Sequence, residues 1–161
     1  MRYLIITVLA AMLSGSVQAR GVDDIFEDFR TRPGAEYINV PPAVMLAGKL
    51  FAAGKDESGL ARHIKSVRVL TVDDCDGSVR TEFAEQTARM DTGGYEEMVN
   101  VSEDGDSVRV LCRMRKNVIS ELIVLKKGKG EAAMIQMKGK FDIGGLHKLA
   151  AGGKDRKARK S

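Results

Sequence analysis

Tryptophan is absent from this chain, and three tyrosines and five phenylalanines are its only aromatic residues. Carbohydrate platforms and single-strand nucleic-acid surfaces draw affinity from stacking on exposed rings. Both classes are therefore disfavoured, and no nucleic-acid partner is expected. Histidine is almost as scarce: His63 and His147 stand alone, without a second His, Cys or acid at ligand spacing on the same element, and read as exposed helical side chains rather than a metal site. Gly144-Gly145 precedes helical periodicity, but no Lys-Ser/Thr follows and no dinucleotide fingerprint exists, so no phosphate loop and no cofactor are implied. Also missing is the run of about 20 apolar residues that crosses a bilayer.

The longest apolar run, Leu4 to Leu13, is about half that length and is broken by Thr7. With Arg2 before it and Val17-Gln18-Ala19 after it, the run has the layout of an export signal, residues 1–19, cleaved after Ala19. No cysteine lies near the cleavage point and no arginine pair precedes the core. The expectation is a soluble protein of the periplasm or cell envelope, exported and not lipid-anchored.

The formal charge of +4 is unevenly placed. Of 26 basic residues, Arg2 lies in the leader and five crowd the last eight positions: Lys154, Arg156, Lys157, Arg159 and Lys160. Between Arg20 and Gly153 there remain 20 basic and 21 acidic residues, so the body is close to neutral. The tail, 154–161, has no apolar periodicity and is expected to be disordered. Its five cations form a candidate anion-binding segment, able to make weak, salt-sensitive contact with an anionic membrane surface. The alternative is a solubilising tail.

Cysteine occurs twice, at Cys75 and Cys112. In an exported chain the two are a candidate disulfide, and closing that loop would stabilise by roughly 3–4 kcal/mol in the chain-entropy account. Cys112 also shares a strand face with Val108, Val110 and Met114, the setting of a buried free thiol. Cys75 lies within Asp73-Asp74-Cys75-Asp76-Gly77. An EF-hand is excluded there, because aligning Gly77 with the loop glycine puts Val72 and Phe83 at ligand positions. The acids read as a solvated turn that caps a helix. A thiol-dependent or hydrolytic enzyme using Cys75 would instead require an accessible thiolate of lowered pKa. Met98, Met114, Met134 and Met137 fall on strands of mixed facing, as core filler does, rather than as a copper site.

The elements are legible in order. Val22, Ile25, Phe26 and Phe29 recur at helical spacing. Glu36–Val40 suits a strand, ended by Pro41-Pro42. Ala43–Ala53 is apolar nearly all round, which predicts a helix buried on more than one side. A polar helical turn capped by Asp56 or Ser58 follows, with Leu60, Ala61 and Ile64 inward. Val67–Val72 alternates as a central strand, and Val79, Phe83, Gln86 and Met90 mark one face of a further helix. Tyr95–Val101, Ser107–Arg115, Val118–Lys126 and Ala132–Gly139 then form a meander, because Glu103-Asp104-Gly105-Asp106, Lys116-Asn117 and Lys127-Gly128-Lys129-Gly130 separate them at turn spacing. Alternation along the second run places Val108, Val110, Cys112 and Met114 on its buried face and Arg109, Arg113 and Arg115 on the other. Asp142 caps a last helix carrying Ile143, Leu146 and Leu149. The reading is one α+β domain, residues 20–153: a mixed sheet ending in a four-stranded antiparallel meander, with helices packed against it.

Ser66–Val72, Gly94–Met98 and Ile119–Leu125, in this order of elements, resemble the domain-of-unknown-function family 4252 of small exported bacterial proteins. The likeness spans about Val22 to Ala150. It implies an envelope location and an α+β fold; the family has no agreed activity, so it implies no site residue. Without a convergent catalytic set, the chain is expected to be a non-enzymatic module that binds an envelope protein through its sheet or a helix face. The enzyme based on Cys75 is the alternative.

Overall fold

Two tight turns set the architecture. Asp104 and Gly105 (φ 52° and 88°), and Lys116 and Asn117 (φ 49° and 61°), all lie in the left-handed region. Paired positive φ angles mark type I′ turns, whose twist matches that of the strands they join. The computed structural model describes residues 19–51 and 63–142. The two turns link β3 (Glu96–Glu103), β4 (Asp106–Arg115) and β5 (Val118–Lys127), and a longer turn leads to β6 (Ala132–Phe141). The predicted meander is present, each strand within a few residues of its expected bounds.

Ahead of it come α1 (Val22–Phe29), β1 (Glu36–Val40), α2 (Pro42–Phe51), β2 (Ile64–Thr71) and α3 (Gly77–Ala88). Six strands form one sheet in the order β1-β2-β6-β5-β4-β3. After β2 the chain passes through α3 to the far edge, and the meander then returns to pair β6 with β2. All five pairings are antiparallel, so the α+β fold holds while the sheet is not mixed.

One face carries the main core. Val22, Ile25, Phe26 and Phe29 of α1 are all buried, as their spacing predicts. Burying four such side chains contributes roughly 6–12 kcal/mol in transfer terms, before the entropy of ordering the helix. Phe29 meets Phe83 of α3 edge to face at 5.2 Å. Under the two helices lie Leu70, Val72, Leu111, Ile123 and Met134. The turn after α1 can approach because residue 34 is glycine: at φ 84°, a Cβ there would sit 2.3 Å from the Asp74 carbonyl oxygen.

The opposite face is apolar but unevenly covered. Register aligns Ile38, Val69, Ile135, Val124, Val110 and Val99 in one row across all six strands. At one end of this face Cys112, Ile119, Leu122 and Phe141 form a second buried cluster. Towards the other end the side chains are half-buried and then exposed, with Ile38 at 56%, Val101 at 54% and Val108 at 37%.

A band of irregularity crosses the sheet near the second cluster. Pairing shifts at Ile64/Ser66, Glu97/Val99, Arg113/Met114 and Ile119/Glu121. Such bulges insert an unpaired residue and re-aim its neighbours. Ser120 is an extra residue of β5 in its pairing with β4, so Ile119 joins the open-face cluster while Glu121 lies among the residues of the helical side.

Several expectations are corrected. Alternation along β4 is as predicted, but both faces bury side chains there: Leu111 and Cys112 are 1% and 2% exposed, Val108 is exposed, and Arg113 is partly buried. Val44 and Leu46 of α2 are 56% and 62% exposed, so that helix is not buried on more than one side. Ile64 begins a strand rather than ending a helical turn, and His63 precedes it in a turn. The leader core, Asp56 to Ala61, the last helix with His147, and the basic tail lie outside the described residues.

Candidate functional site

The two cysteines are not brought together. Cys75 is buried in the core beneath the helices, Cys112 is buried in the cluster on the other face, and both thiols are free. Burial pushes the Cys75 thiol up, and Asp74 and Asp76 beside it push the same way. That is opposite to the thiolate a Cys75 nucleophile needs. Of the acids around it, Asp73 accepts from the Ala132 N–H at 2.6 Å, fixing the start of β6, whereas Asp76 stands at the N-cap of α3 without the side-chain cap bond expected of it. Among the described residues, no three His, Cys, Asp or Glu gather as metal ligands. Met134 lies in one core cluster, Met114 and Met137 beside the other, and Met98 is exposed.

Polar side chains converge instead at the end of the helical face, below the start of α1. Glu121, 7% exposed, is the centre. Its Oε1 accepts from the Tyr95 hydroxyl at 2.9 Å and from Gln136 Nε2. Gln136 Oε1 in turn accepts from Arg68 Nε at 2.6 Å, and Arg68 reaches Asp23 in α1. Arg113 lies 3.9 Å from Glu121 Oε2, with its guanidinium 4.3 Å above the Tyr95 ring. Arg113 Nε is buried and without a hydrogen-bond partner. Beside this chain a cleft of about 370 Å³ opens, lined also by Asp91 and Lys138.

The electrostatics are those of a locked seam. Burial and the Glu121 carboxylate push the Tyr95 hydroxyl well above its ordinary pKa, so it stays a proton donor. Arg68 holds the Asp23 carboxyl below its usual range, against the opposing effect of burial. The cations Arg68, Arg113 and Lys138 thus face carboxylates already in place, and the arrangement ties α1 to the sheet. Alternation alone did not reveal this network. Its one signal is composition, a lone acid inside Val118–Leu125 and a lone amide inside Ala132–Met137.

The second surface is the open face and its β3 border. Val99 and Val101 are exposed there, and all eight residues of β3 are solvent-accessible. On the helical side of the same strand, Glu97 accepts from Arg109 and from Asn100 at 3.0 Å.

A family model described as a domain of unknown function (DUF4252) matches residues 29–149, which takes in all six strands. The chain belongs to this family. No curated protein and no solved structure matches it.

Proposed function

We propose that this DUF4252 protein is an exported envelope module without catalytic activity, and that it binds another protein through the open apolar face of its sheet. The observation that carries the reading is the row from Ile38 to Val99: six strands contribute a β-branched side chain each, and the row ends exposed on both edges. Contiguous apolar surface of this kind, bordered by charge, marks protein contact more often than chance exposure. The enzymatic alternative has less support, because burial raises the pKa of the thiol it depends on and the carboxylates beside it add to that rise. No described helix is long and apolar enough to cross a membrane, and the export-signal layout read from residues 1–19 of the sequence supports the address.

The test is capture from the envelope fraction at native expression, comparing the wild-type chain with Ile38→Ser/Val108→Ser. Both positions are exposed, so the double variant should keep its stability to within about 1 kcal/mol. A partner recovered by the wild type and lost by the variant is the expected outcome. Equal recovery, or no partner above background, would refute the reading.

A further inference from the structure

We infer that the outer edge of β3 receives an extended segment of the partner in which two apolar residues, alternating with polar ones, are flanked at both ends by Lys or Arg. This rests on the protein-binding reading above and names the chemistry of what is bound. β3 is the last strand of the sheet, and no described strand pairs with its outer side. The backbone N–H and C=O groups of such an edge are a template for an added strand, with alternate side chains giving specificity.

The side chains define that specificity. Pairing with Cys112, Val110, Val108 and Asp106 puts Glu96, Val99, Val101 and Glu103 on the open face, in that order. The bulge at Met98 is what brings Glu96 and Val99, three positions apart, to the same side. An incoming strand would therefore lengthen the apolar row at its centre and meet a carboxylate at each end. The helical side of β3 offers Glu97, Asn100 and Ser102, which suits polar residues at the alternate positions.

The same charges argue against a second copy of this chain. An antiparallel copy matching valine to valine would set Glu96 against Glu103 at both ends, and like charges directly opposite are destabilising. The other edge, β1, has only five residues and a single acid, Glu36, so it lacks the paired terminal carboxylates. The acidic ends of β3 thus repel its own kind and select a basic-flanked strand.

The probe is a labelled peptide, Lys-Thr-Val-Thr-Val-Thr-Lys, titrated against the purified protein by fluorescence anisotropy at low and high salt. The comparison peptides carry Glu at both ends, or proline for the central Thr. The lysine peptide should bind, salt should weaken it, and proline should abolish it. Glu96→Lys/Glu103→Lys should weaken the lysine peptide about tenfold and favour the Glu peptide, since two cross-strand pairs change from attraction to repulsion. Glu96→Gln/Glu103→Gln, a milder change, decides the matter if the reversal fails to fold by circular dichroism. Hydrogen exchange should slow in β3 on binding and stay unchanged in β1. Binding no tighter than that of the Glu peptide, indifference to both double variants, or a wild-type dimer joined through β3 would overturn the inference. If the peptide fails while Ile38→Ser/Val108→Ser still abolishes partner capture, the edge assignment falls and the open-face reading stands.

Discussion

Replacing Glu121 by alanine is expected to destabilise the fold by about 3–5 kcal/mol, the cost of losing two hydrogen bonds to a charged acceptor. The side chain is 9% exposed and accepts two hydrogen bonds, from Tyr95 and Gln136. Bonds to a charged acceptor are worth about 1.5–3 kcal/mol each, and alanine would leave the buried Gln136 amide and the half-buried Tyr95 hydroxyl without this partner. Arg113 adds little, because it is 37% exposed and its ion pair is long at 3.9 Å; screened pairs of that kind contribute at most about 1 kcal/mol. Glu121→Gln keeps an acceptor and loses only the charge, at about 1–2 kcal/mol. In a domain of this size each kcal/mol moves Tm by roughly 3 °C, so the alanine variant should melt about 9–15 °C lower and the glutamine variant about 3–6 °C lower. Thermal melts and urea unfolding measure both, and a Tyr95→Phe/Glu121→Gln cycle should show coupling above about 0.5 kcal/mol. Equal shifts for alanine and glutamine, or an alanine cost under about 1 kcal/mol, would show that water reaches the carboxylate and that no seam holds α1 to the sheet.

Other consequences follow from particular positions. Tyr95 keeps its proton in the fold at a pH where an unfolded chain has lost it, so its contribution is complete below about pH 10 and declines as pH rises beyond; an alkaline unfolding series should show a smaller decline in Tyr95→Phe. Gly139→Ala would bring a Cβ to 2.2 Å from the His63 carbonyl oxygen, and forcing the bulge open should cost about 1–3 kcal/mol by urea unfolding. Lys116 holds φ 49° in a two-residue turn, so Lys116→Gly should raise stability by up to about 1 kcal/mol, with unchanged or lower stability counting against the turn assignment. Iodoacetamide should label Cys75 and Cys112 more slowly than a free thiol peptide in the native protein, and both fully once it is unfolded. Rapid native labelling of Cys75 would reopen the thiol-enzyme alternative.

Much of the fold was legible in the chain because it rests on local signals. Val22, Ile25, Phe26 and Phe29 have one spacing and one buried outcome. Asp104-Gly105 and Lys116-Asn117 tolerate the φ angles that two-residue hairpins demand, and those two turns set β3, β4 and β5. Alternation in Val67–Val72 correctly separated Leu70 and Val72 from Val67 and Val69. The candidate sites were less legible. Alternation puts Arg113 on the face opposite Val110 and Cys112, which is where it lies, but it does not show that Arg113 sits over the Tyr95 ring beside Glu121 there. The apolar character of α2 suggested burial, yet periodicity reports which residues share a face and carries no information on whether a neighbour covers it.

The sequence alone determined the helix stripe, the hairpins and the meander, since each depends on residues a few positions apart and on backbone angles that Gly, Asn, Asp or Pro favour. Only the tertiary structure decided that β6 pairs with β2, that Cys75 and Cys112 fall on opposite sides, and that Ser120, an extra residue against β4, parts Ile119 from Glu121. The physical reason is the same in each case. A strand repeats every two residues whichever neighbour it pairs with, so its pattern leaves open the partner, the bulge that resets the pattern, and the face that is covered. Those are settled by the joint packing of elements far apart in the chain, here the docking of α1 and α3 on one side of six antiparallel strands.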